Sequence, residues 1–392
     1  MIFNALSYYF VFLIPTAILF RIVSPKVRPW VCVASGVCFF VSYSVPQFGG
    51  WAGAACVLIF VWEALFSRLY RPGARVCLVG VGISLVVLGV FKYWNFLTGL
   101  LAAPFGPNPA HWYGVFLPLG VSFFTFEFIH YAVDRYRGTA ERGTLGEYFG
   151  FLFFFPTMVA GPIKRYQDFV PCLRNPSRNW AEDWHRGLTR ILCGLVKKFA
   201  VADVLTGLTD HLNAADIARA DRGVLVLWLF AYGWKIYFDF SAYSDIAIGS
   251  GRLFGLRIPE NFDWPYFRTN IAEFWRHWHM SLYKWLVDYV FIPLGGSRGK
   301  TAFVCRNVIL VMLASGLWHG AGLNFVVWGL WHGALLVIHR LWSGGRTKTE
   351  PPSGLARVVG WALTYVAVNV GWAFFAMDLP TAGLFFRRLA GG

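Results

Sequence analysis

Long apolar runs recur along the whole chain and constrain its fold more than any other feature. Each run approaches the ~20 residues that an α-helix needs to cross the roughly 30 Å hydrocarbon core of a bilayer. Only 14% of the 392 residues are charged, against about a quarter in soluble domains. A transmembrane β-barrel would show short alternating segments instead. The sequence therefore predicts an all-α polytopic membrane protein.

The predicted membrane helices are joined by loops that alternate in charge. These helices cover residues 2–20, 29–45, 50–66, 76–94, 113–133, 187–208, 223–250, 303–318, 323–341 and 356–377. Loops after the first, third and fifth helices are basic, whereas the second and fourth loops carry no Lys or Arg. By the positive-inside rule, the N-terminus is extracytoplasmic. We expect the first run to be retained, because no basic residues precede it as in a signal peptide.

Two segments break this pattern. Residues 148–162 are apolar, end at Gly161-Pro162 and precede another basic segment, which a full crossing would place outside. We therefore expect a re-entrant segment that is buried in protein or lines a cavity. Residues 258–300 are dense in Trp, Arg and His, and predict a pair of short interfacial or re-entrant helices.

The formal net charge of +15 does not predict a nucleic-acid partner. Basic residues cluster in short loops, where they face anionic membrane lipids, and no basic face with interleaved stacking aromatics is visible. The seven cysteines are scattered and form no CxxC motif, as expected of small buried hydrophobic residues.

His319 is the strongest candidate for chemistry. Within residues 302–331, Arg306 is the only charged side chain, and ionisable groups at bilayer depth are functional candidates by default. A neutral imidazole can accept a proton from a hydroxyl and return it to a leaving group near pH 7. The alternative is a packing histidine bonded to a carbonyl of a neighbouring helix.

Other histidines allow further interpretations. His277 and His279 form an HxH pair that with His319 can in principle hold zinc, but no fourth ligand is evident and a metal is not expected. His332 lies thirteen residues after His319, about 220° around a helix, so we interpret His332 as structural. Interfacial positions suit His130 and His339.

Segment 232–252 places several polar side chains in an apolar span, namely Lys235, Asp239, Ser241, Ser244 and Asp245. Lys235 and Asp239 are four residues apart and are predicted to pair on one helix face. Such a pair can simply neutralise itself, or the group can line a wet tunnel. Glu127 and Asp134 allow the same two interpretations.

Eight sequence blocks carry a family resemblance, and they occur in order through most of the chain. They are LPLGVSFFTF (117–126), YxxDxYRG (131–138), FPTMVAGPI (155–163), YFDFSAYSD (237–245), PENF (259–262), FWRxWHxSL (274–282), IPLGG (292–296) and GLWHGA (316–321). Together they resemble the membrane-bound O-acyltransferase (MBOAT) family. Within it they are most similar to the branch of bacterial alginate O-acetyltransferase and the D-alanyl transferase of teichoic acids.

The resemblance implies one membrane domain, residues 1–392, with roughly 10–12 transmembrane and re-entrant helices in a ring around a central tunnel. N-terminal helices would occupy 1–146, a re-entrant catalytic core 147–341, and a C-terminal helix and tail 342–392. It implies His319 and His279 as catalytic residues. The implied substrate-binding or tunnel-lining residues are Asp239, Ser241, Asp245, Asn261, Trp318 and Arg276.

By the same resemblance, no cofactor is bound and the acyl donor approaches from the cytoplasm. That donor is an acyl-CoA, with acetyl-CoA expected, or an acyl carrier protein. The acceptor hydroxyl belongs to an extracytoplasmic polysaccharide or to a periplasmic relay protein, and the setting is the cell inner membrane. Members of this branch are usually longer, with a terminal helix that packs the bundle or docks a partner. Where they often have Phe-Phe-Arg, this chain has Phe374-Phe375-Ala376.

Three alternatives to direct transfer by His319 stay open at this point. An acyl-enzyme would need a nucleophile, and Ser315 lies four residues from His319 in no evident activated arrangement. A transporter or flippase would suit broken helices and intramembrane charge, although no inverted repeat is visible. A passive scaffold would leave the buried polar groups unexplained.

Overall fold

A computed structural model describes residues 5–48, 73–102, 120–344 and 353–392. All regular structure in these ranges is helical, which confirms the predicted all-α class. The helices of the first half are α1 (Tyr8–Ile22), α2 (Arg28–Phe48), α3 (Ala74–Leu88, continued by π-helical Gly89–Tyr93 and by Trp94–Ala102), α4 (Val121–Arg137), α5 (Leu145–Leu152), α6 (Phe155–Met158), α7 (Tyr166–Arg174) and α8 (Trp180–Val196, continued by π-helical Lys197–Ala202 and by Asp203–Thr209).

The described residues of the second half form eight further helices and one short 3-10 turn, Pro265–Phe267. Its helices are α9 (Ala214–Ile217), α10 (Arg222–Leu253), α11 (Ile271–His277), α12 (Met280–Leu286, continued by π-helical Val287–Phe291), α13 (Thr301–His319), α14 (Leu323–Trp342), α15 (Gly354–Ala376) and α16 (Leu379–Ala390). The predicted pair of short helices within 258–300 is therefore confirmed as α11 and α12.

Five helices in the described part of the chain are long and apolar enough to cross a membrane, and Tyr8–Ile22 is a shorter apolar helix. These spans are Arg75–Leu101, Arg222–Leu253, Thr301–His319, Leu323–Trp342 and Gly354–Ala376. Each matches a predicted membrane helix. The predicted helix 50–66 and the first part of 113–133 lie outside the described residues.

The predicted span 187–208 lies in α8, which is not among these five. Large apolar side chains nevertheless lie exposed along it, at Leu188, Leu192, Val196, Phe199, Val204 and Leu208. They extend over about 30 Å of helix at ~1.5 Å per residue, which matches a hydrocarbon core. Such a stripe is typical of a lipid-facing helix whose charged side chains turn toward protein.

The apolar segment 148–162 forms the two short helices α5 and α6, of 8 and 4 residues. A capping box begins α5, because Thr144 and Glu147 exchange side-chain hydrogen bonds with each other's main-chain N–H groups. Neither helix reaches the ~20 residues of a membrane crossing. The prediction that this segment does not cross as one helix is confirmed.

The chain forms two compact units, one of Met1–Leu195 with Tyr243–Pro259 and one of Val196–Ala242 with Glu260–Gly392. Phenylalanine-rich packing fills the first unit, which also buries the Arg21–Asp183 ion pair. In the second unit, Tyr266 anchors an aromatic core by donating to the carbonyl of Gly233 at 2.6 Å and accepting from Trp372 Nε1 at 2.9 Å.

The predicted C-terminal tail contains a helix that hydropathy did not predict. In α16, Asp378 caps the N-terminus and Ala382 and Phe385 are buried. At 12 residues, with two arginines in its last turn, this helix is too short and too polar to register as a membrane span.

Candidate active site

His319 is the last residue of α13, where the helix meets the α13–α14 turn. Gly316, one turn earlier, lets α14 approach closely, because a Cβ at Gly316 would lie 2.2 Å from the carbonyl oxygen of Phe325. Aromatic side chains surround the imidazole, with ring centroids at 4.7 Å (Trp318), 5.1 Å (Trp328) and 4.9 Å (Phe375). The histidine is half-buried, so it combines an apolar setting with access.

His279 lies in the turn between α11 and α12 and is 2% exposed. Its φ of 44° is in the left-handed region, which costs a non-glycine residue about 1–3 kcal/mol. Two main-chain hydrogen bonds hold the turn, from Met280 N to Asn261 O at 2.8 Å and from Asp263 N to His277 O at 3.1 Å. The backbone around His279 is thus held in a strained conformation of the kind that clusters at functional sites.

Asn261, which is 0% exposed, determines the protonation of His279. Its Oδ1 accepts from Ser281 N (3.3 Å) and Ser281 Oγ (2.8 Å), and lies 3.0 Å from His279 Nδ1. Because an amide oxygen only accepts, Nδ1 carries the proton. Burial lowers the pKa of His279 to about 3, so the ring is neutral and Nε2 holds a lone pair.

Trp318 packs against both histidines. Its ring lies 6.1 Å from that of His279 and 4.7 Å from that of His319, and Phe240 packs on His279 at 4.6 Å. The structure therefore brings His279, His319, Asn261 and Trp318 into one group in the second unit.

A cavity of about 240 Å³ in the same unit is lined by His279, Ser315 and Arg276, and also by Arg340. Arg276 bonds Glu273. In the described part of the chain Arg340 has no carboxylate partner, and its buried Nε has no hydrogen-bond partner. The cavity thus has an arginine whose charge is available to an anion.

Helix register gives the length of this cavity. Gly333 of α14 packs on Ile309 of α13, and Gly329 packs on Met312, so Arg340 lies level with the start of α13. Ser315 is then about 20 Å from Arg340 along the helix axis, at ~1.5 Å per residue. His319 lies one turn, roughly 5.4 Å, beyond Ser315.

Sequence reasoning missed Arg340. An arginine in the last turn of an apolar helix also suits the helix dipole and the membrane interface. Only the cavity distinguishes it from those ordinary positions.

The predicted pair of Lys235 and Asp239 does not form. Asp239 accepts from Lys198 of α8 at 2.8 Å, and Lys198 also pairs with Asp203 at 2.6 Å. Lys235 instead donates to Thr209 at 2.9 Å. The i,i+4 rule was wrong here because a neighbouring helix supplies closer partners.

Other polar residues of α10 have their own partners. Ser241 donates to the carbonyl of Phe238 at 3.4 Å. Asp245, in the first unit, pairs with Arg190 at 2.6 Å. Tunnel lining by these two residues and by Asp239 stays a prediction.

Glu127 and Lys164 form a buried ion pair, and Asp134 accepts from Gln167 at 2.8 Å. His130 is 0% exposed, and its Nε2 accepts from Tyr166 N at 3.2 Å. The imidazole of His130 thus accepts a main-chain hydrogen bond inside the protein, and its interfacial position stays a prediction.

The HxH pair does not converge on one point. His277 Nδ1 lies 2.7 Å from the carbonyl of Glu273, whereas His279 Nδ1 faces Asn261. Among the described residues, no group of three or more His, Cys, Asp or Glu side chains is arranged to hold a metal ion.

Comparison with known proteins identifies the family. The model of the membrane-bound O-acyltransferase family matches residues 141–372. A probable alginate O-acetylase of Pseudomonas putida is 40% identical over 312 residues, 79% of this chain and 63% of the relative. A peptidoglycan O-acetyltransferase of Helicobacter pylori is 31% identical, over 92% of this chain and 73% of the relative.

A teichoic acid D-alanyltransferase of Bacillus subtilis is 26% identical over 82% of this chain and 84% of its own length. The chain spans 63% and 58% of the first two alginate O-acetylases it matches. The family model covers His279, His319 and the cavity residues described above. The chain belongs to the membrane-bound O-acyltransferase family.

Proposed function

We propose that the chain is an O-acyltransferase of the inner membrane that moves an acetyl group from a cytoplasmic thioester to a hydroxyl outside the cytoplasm. The acceptor is a polysaccharide or a relay protein that passes the group on. The observation that carries this proposal is the pair of histidines joined through Trp318, one half-buried and one buried.

His319 is the general base. It takes the proton of the acceptor hydroxyl as the oxygen attacks the thioester carbonyl, an O–C bond forms and the C–S bond breaks. The proton then passes to the departing thiolate, so no net proton is consumed. General-base catalysis contributes about 10²–10⁴-fold, and alignment of the two substrates up to ~7–11 kcal/mol.

His279 is an orienting group. With Nδ1–H committed to Asn261, its Nε2 can only accept a hydrogen bond, from a substrate hydroxyl or amide N–H. This tautomer argues against the oxyanion contact that a protonated Nε2 would make. Trp318 packs against the rings of both His279 and His319 and so links the two histidines.

The cavity suits a thioester on a slender arm with an anionic end, as in coenzyme A or a carrier protein. Its ~240 Å³ is below the roughly 300–1,000 Å³ of ordinary ligand pockets, so only the arm enters. Arg340 lies at one end and Ser315, one turn from His319, at the other. The arm's phosphate at Arg340 would thus direct its acyl end toward the histidines.

Basic residues support a cytoplasmic position for the Arg340 end of the cavity. Arg298 and Lys300 precede α13, and Arg357 lies in the first turn of α15. Cytoplasmic ends of membrane helices are enriched in such residues. We therefore propose that the donor enters from the cytoplasm.

Relatives' names support the transferred group and the kind of acceptor. Two name O-acetylation, of alginate and of peptidoglycan, and a third names D-alanyl transfer to teichoic acid. A polymer hydroxyl is common to them, so we assign this chain a polysaccharide acceptor, reached directly or through an extracytoplasmic partner.

Inverted membrane vesicles test the function. Radiolabelled acetyl-CoA, or acetylated carrier protein in a parallel arm, is supplied on the exposed cytoplasmic face, and alkali-labile ester inside the vesicles is counted. We expect ester formation that requires the chain. Lumenal label without ester would instead indicate a transporter, and no label in either arm would refute the proposal.

A further inference from the structure

His332 is a fully buried histidine, at 0% exposure in α14. The rings of Trp275 and Trp328 each lie 5.0 Å from its ring. Neither imidazole nitrogen has a hydrogen-bond partner among the described protein groups. A neutral imidazole offers one donor and one acceptor, so both polar functions of this ring are buried against aromatic faces.

Its two aromatic neighbours also bury polar groups that lack a protein partner. The indole N–H groups of Trp275 and Trp328 are buried without a protein partner in the described part of the chain. Trp328 is 0% exposed and Trp275 is 8% exposed. Each indole ring thus lies 5.0 Å from the imidazole ring, and the two indole rings lie 5.6 Å apart, centroid to centroid. One water reaches partners about 5.5–6 Å apart, at ~2.8–3.0 Å from each.

Burial without partners would be costly. An uncompensated polar group costs roughly 1–3 kcal/mol in proteins, and a phenylalanine would fill this space without that cost. Internal waters commonly satisfy such groups. Gly371 lets the imidazole pack closely against α15, since a Cβ at Gly371 would lie 2.4 Å from His332 Nε2.

We propose that His332, Trp275 and Trp328 bind an internal water, and that His332 thereby positions His319. The link is Trp328, whose ring packs on His332 at 5.0 Å and on His319 at 5.1 Å. A water bonded to His332 and to the Trp328 indole fixes the tryptophan ring, and the ring fixes the base. Trp275 joins the same water to the wall of the donor cavity.

This role rests on the proposed function, and three substitutions test it. His332→Phe and His332→Leu remove both nitrogens, one with an aromatic and one with an aliphatic side chain, whereas His332→Gln keeps a donor and an acceptor. We expect Phe and Leu each to lower kcat at least about tenfold, the scale of one lost hydrogen bond. KM for acetyl-CoA should change less than twofold, and Gln should retain kcat within about threefold.

Full activity in His332→Phe, with greater thermal stability, would overturn the proposal, because packing alone would then explain the residue. Equal losses in Phe and Gln would also overturn it. Should these variants fail to fold, Trp275→Phe removes one indole donor and keeps a ring, and an unchanged kcat there would contradict the water site.

An NMR measurement that does not depend on acetyl transfer separates this proposal from the proposed function. In wild-type protein, NMR should show a water cross-peak to the His332 ring N–H, assigned by its loss in His332→Gln. Its absence refutes the water site whether or not the protein transfers acetyl groups. Its presence in a protein without acetyl transfer would refute the proposed function and leave the water site standing.

Discussion

Replacing Asn261 with leucine tests the arrangement around His279. Asn261 Oδ1 accepts three hydrogen bonds, from His279 Nδ1 and from the main-chain N–H and hydroxyl of Ser281. Leucine has the same branching and the same number of side-chain heavy atoms, but it has no acceptor. The substitution therefore removes the acceptor of three hydrogen bonds at a site where Asn261 is 0% exposed.

The expected cost follows from these donors. Each unsatisfied buried donor costs about 1–3 kcal/mol, and neighbouring losses are not additive, so we expect a destabilisation of roughly 3 kcal/mol. His279 also loses its fixed tautomer, and misplacement by about 1 Å can cost ~10²-fold in rate. Unfolding by SDS in mixed micelles measures the first effect, and acetyl transfer the second.

Ser281→Ala is the matched control, because it removes one donor from the same acceptor and leaves the contact with His279 in place. We expect it to cost no more than about 1 kcal/mol and to keep most activity. Wild-type stability and turnover in Asn261→Leu would refute the assigned network. So would a loss in Ser281→Ala as large as that in Asn261→Leu.

Two further predictions concern charge. Arg340→Gln should raise KM for acetyl-CoA about tenfold or more, the scale of a charge-assisted hydrogen bond, with kcat nearly unchanged. The control is Arg357→Gln, which replaces an exposed arginine at the start of α15. An equal rise of KM in Arg357→Gln would contradict the role of Arg340. So would an equal rise of KM in Arg340→Gln when the donor is acetyl-pantetheine, which has no phosphate. The hydrogen bond from Arg174 lowers the pKa of Glu147, so this carboxylate stabilises the fold above its ordinary pKa, and that contribution is lost as pH falls through the lowered value. Glu147→Gln should therefore flatten the fall of the unfolding free energy as the pH drops below the ordinary pKa of a glutamate, and an unchanged profile would contradict the pairing.

Hydropathy predicted the long helices because membrane insertion depends on local composition. Thr301–His319 and Leu323–Trp342 begin and end within two residues of the predicted spans. Partners of charged residues were not predictable in this way. Lys198 reaches Asp239 across two helices, a contact that local spacing does not encode.

The histidine pair was predicted and its geometry was not. Ordered sequence blocks assigned His319 and His279, but no pattern indicates that His279 would adopt a φ of 44° or bond Asn261. Both depend on tertiary packing of the α11–α12 turn. Arg340 and His332 likewise acquire their roles from neighbours on other helices.

The most direct measurement of the central claim is the O-acetyl content of cellular polysaccharide, read by NMR. Wild-type, His319→Ala and His319→Gln proteins are expressed at equal membrane levels. Because neither alanine nor glutamine can act as a base near pH 7, we predict that ester is lost in both variants. Unchanged ester in either variant would remove His319 from the mechanism and contradict the account.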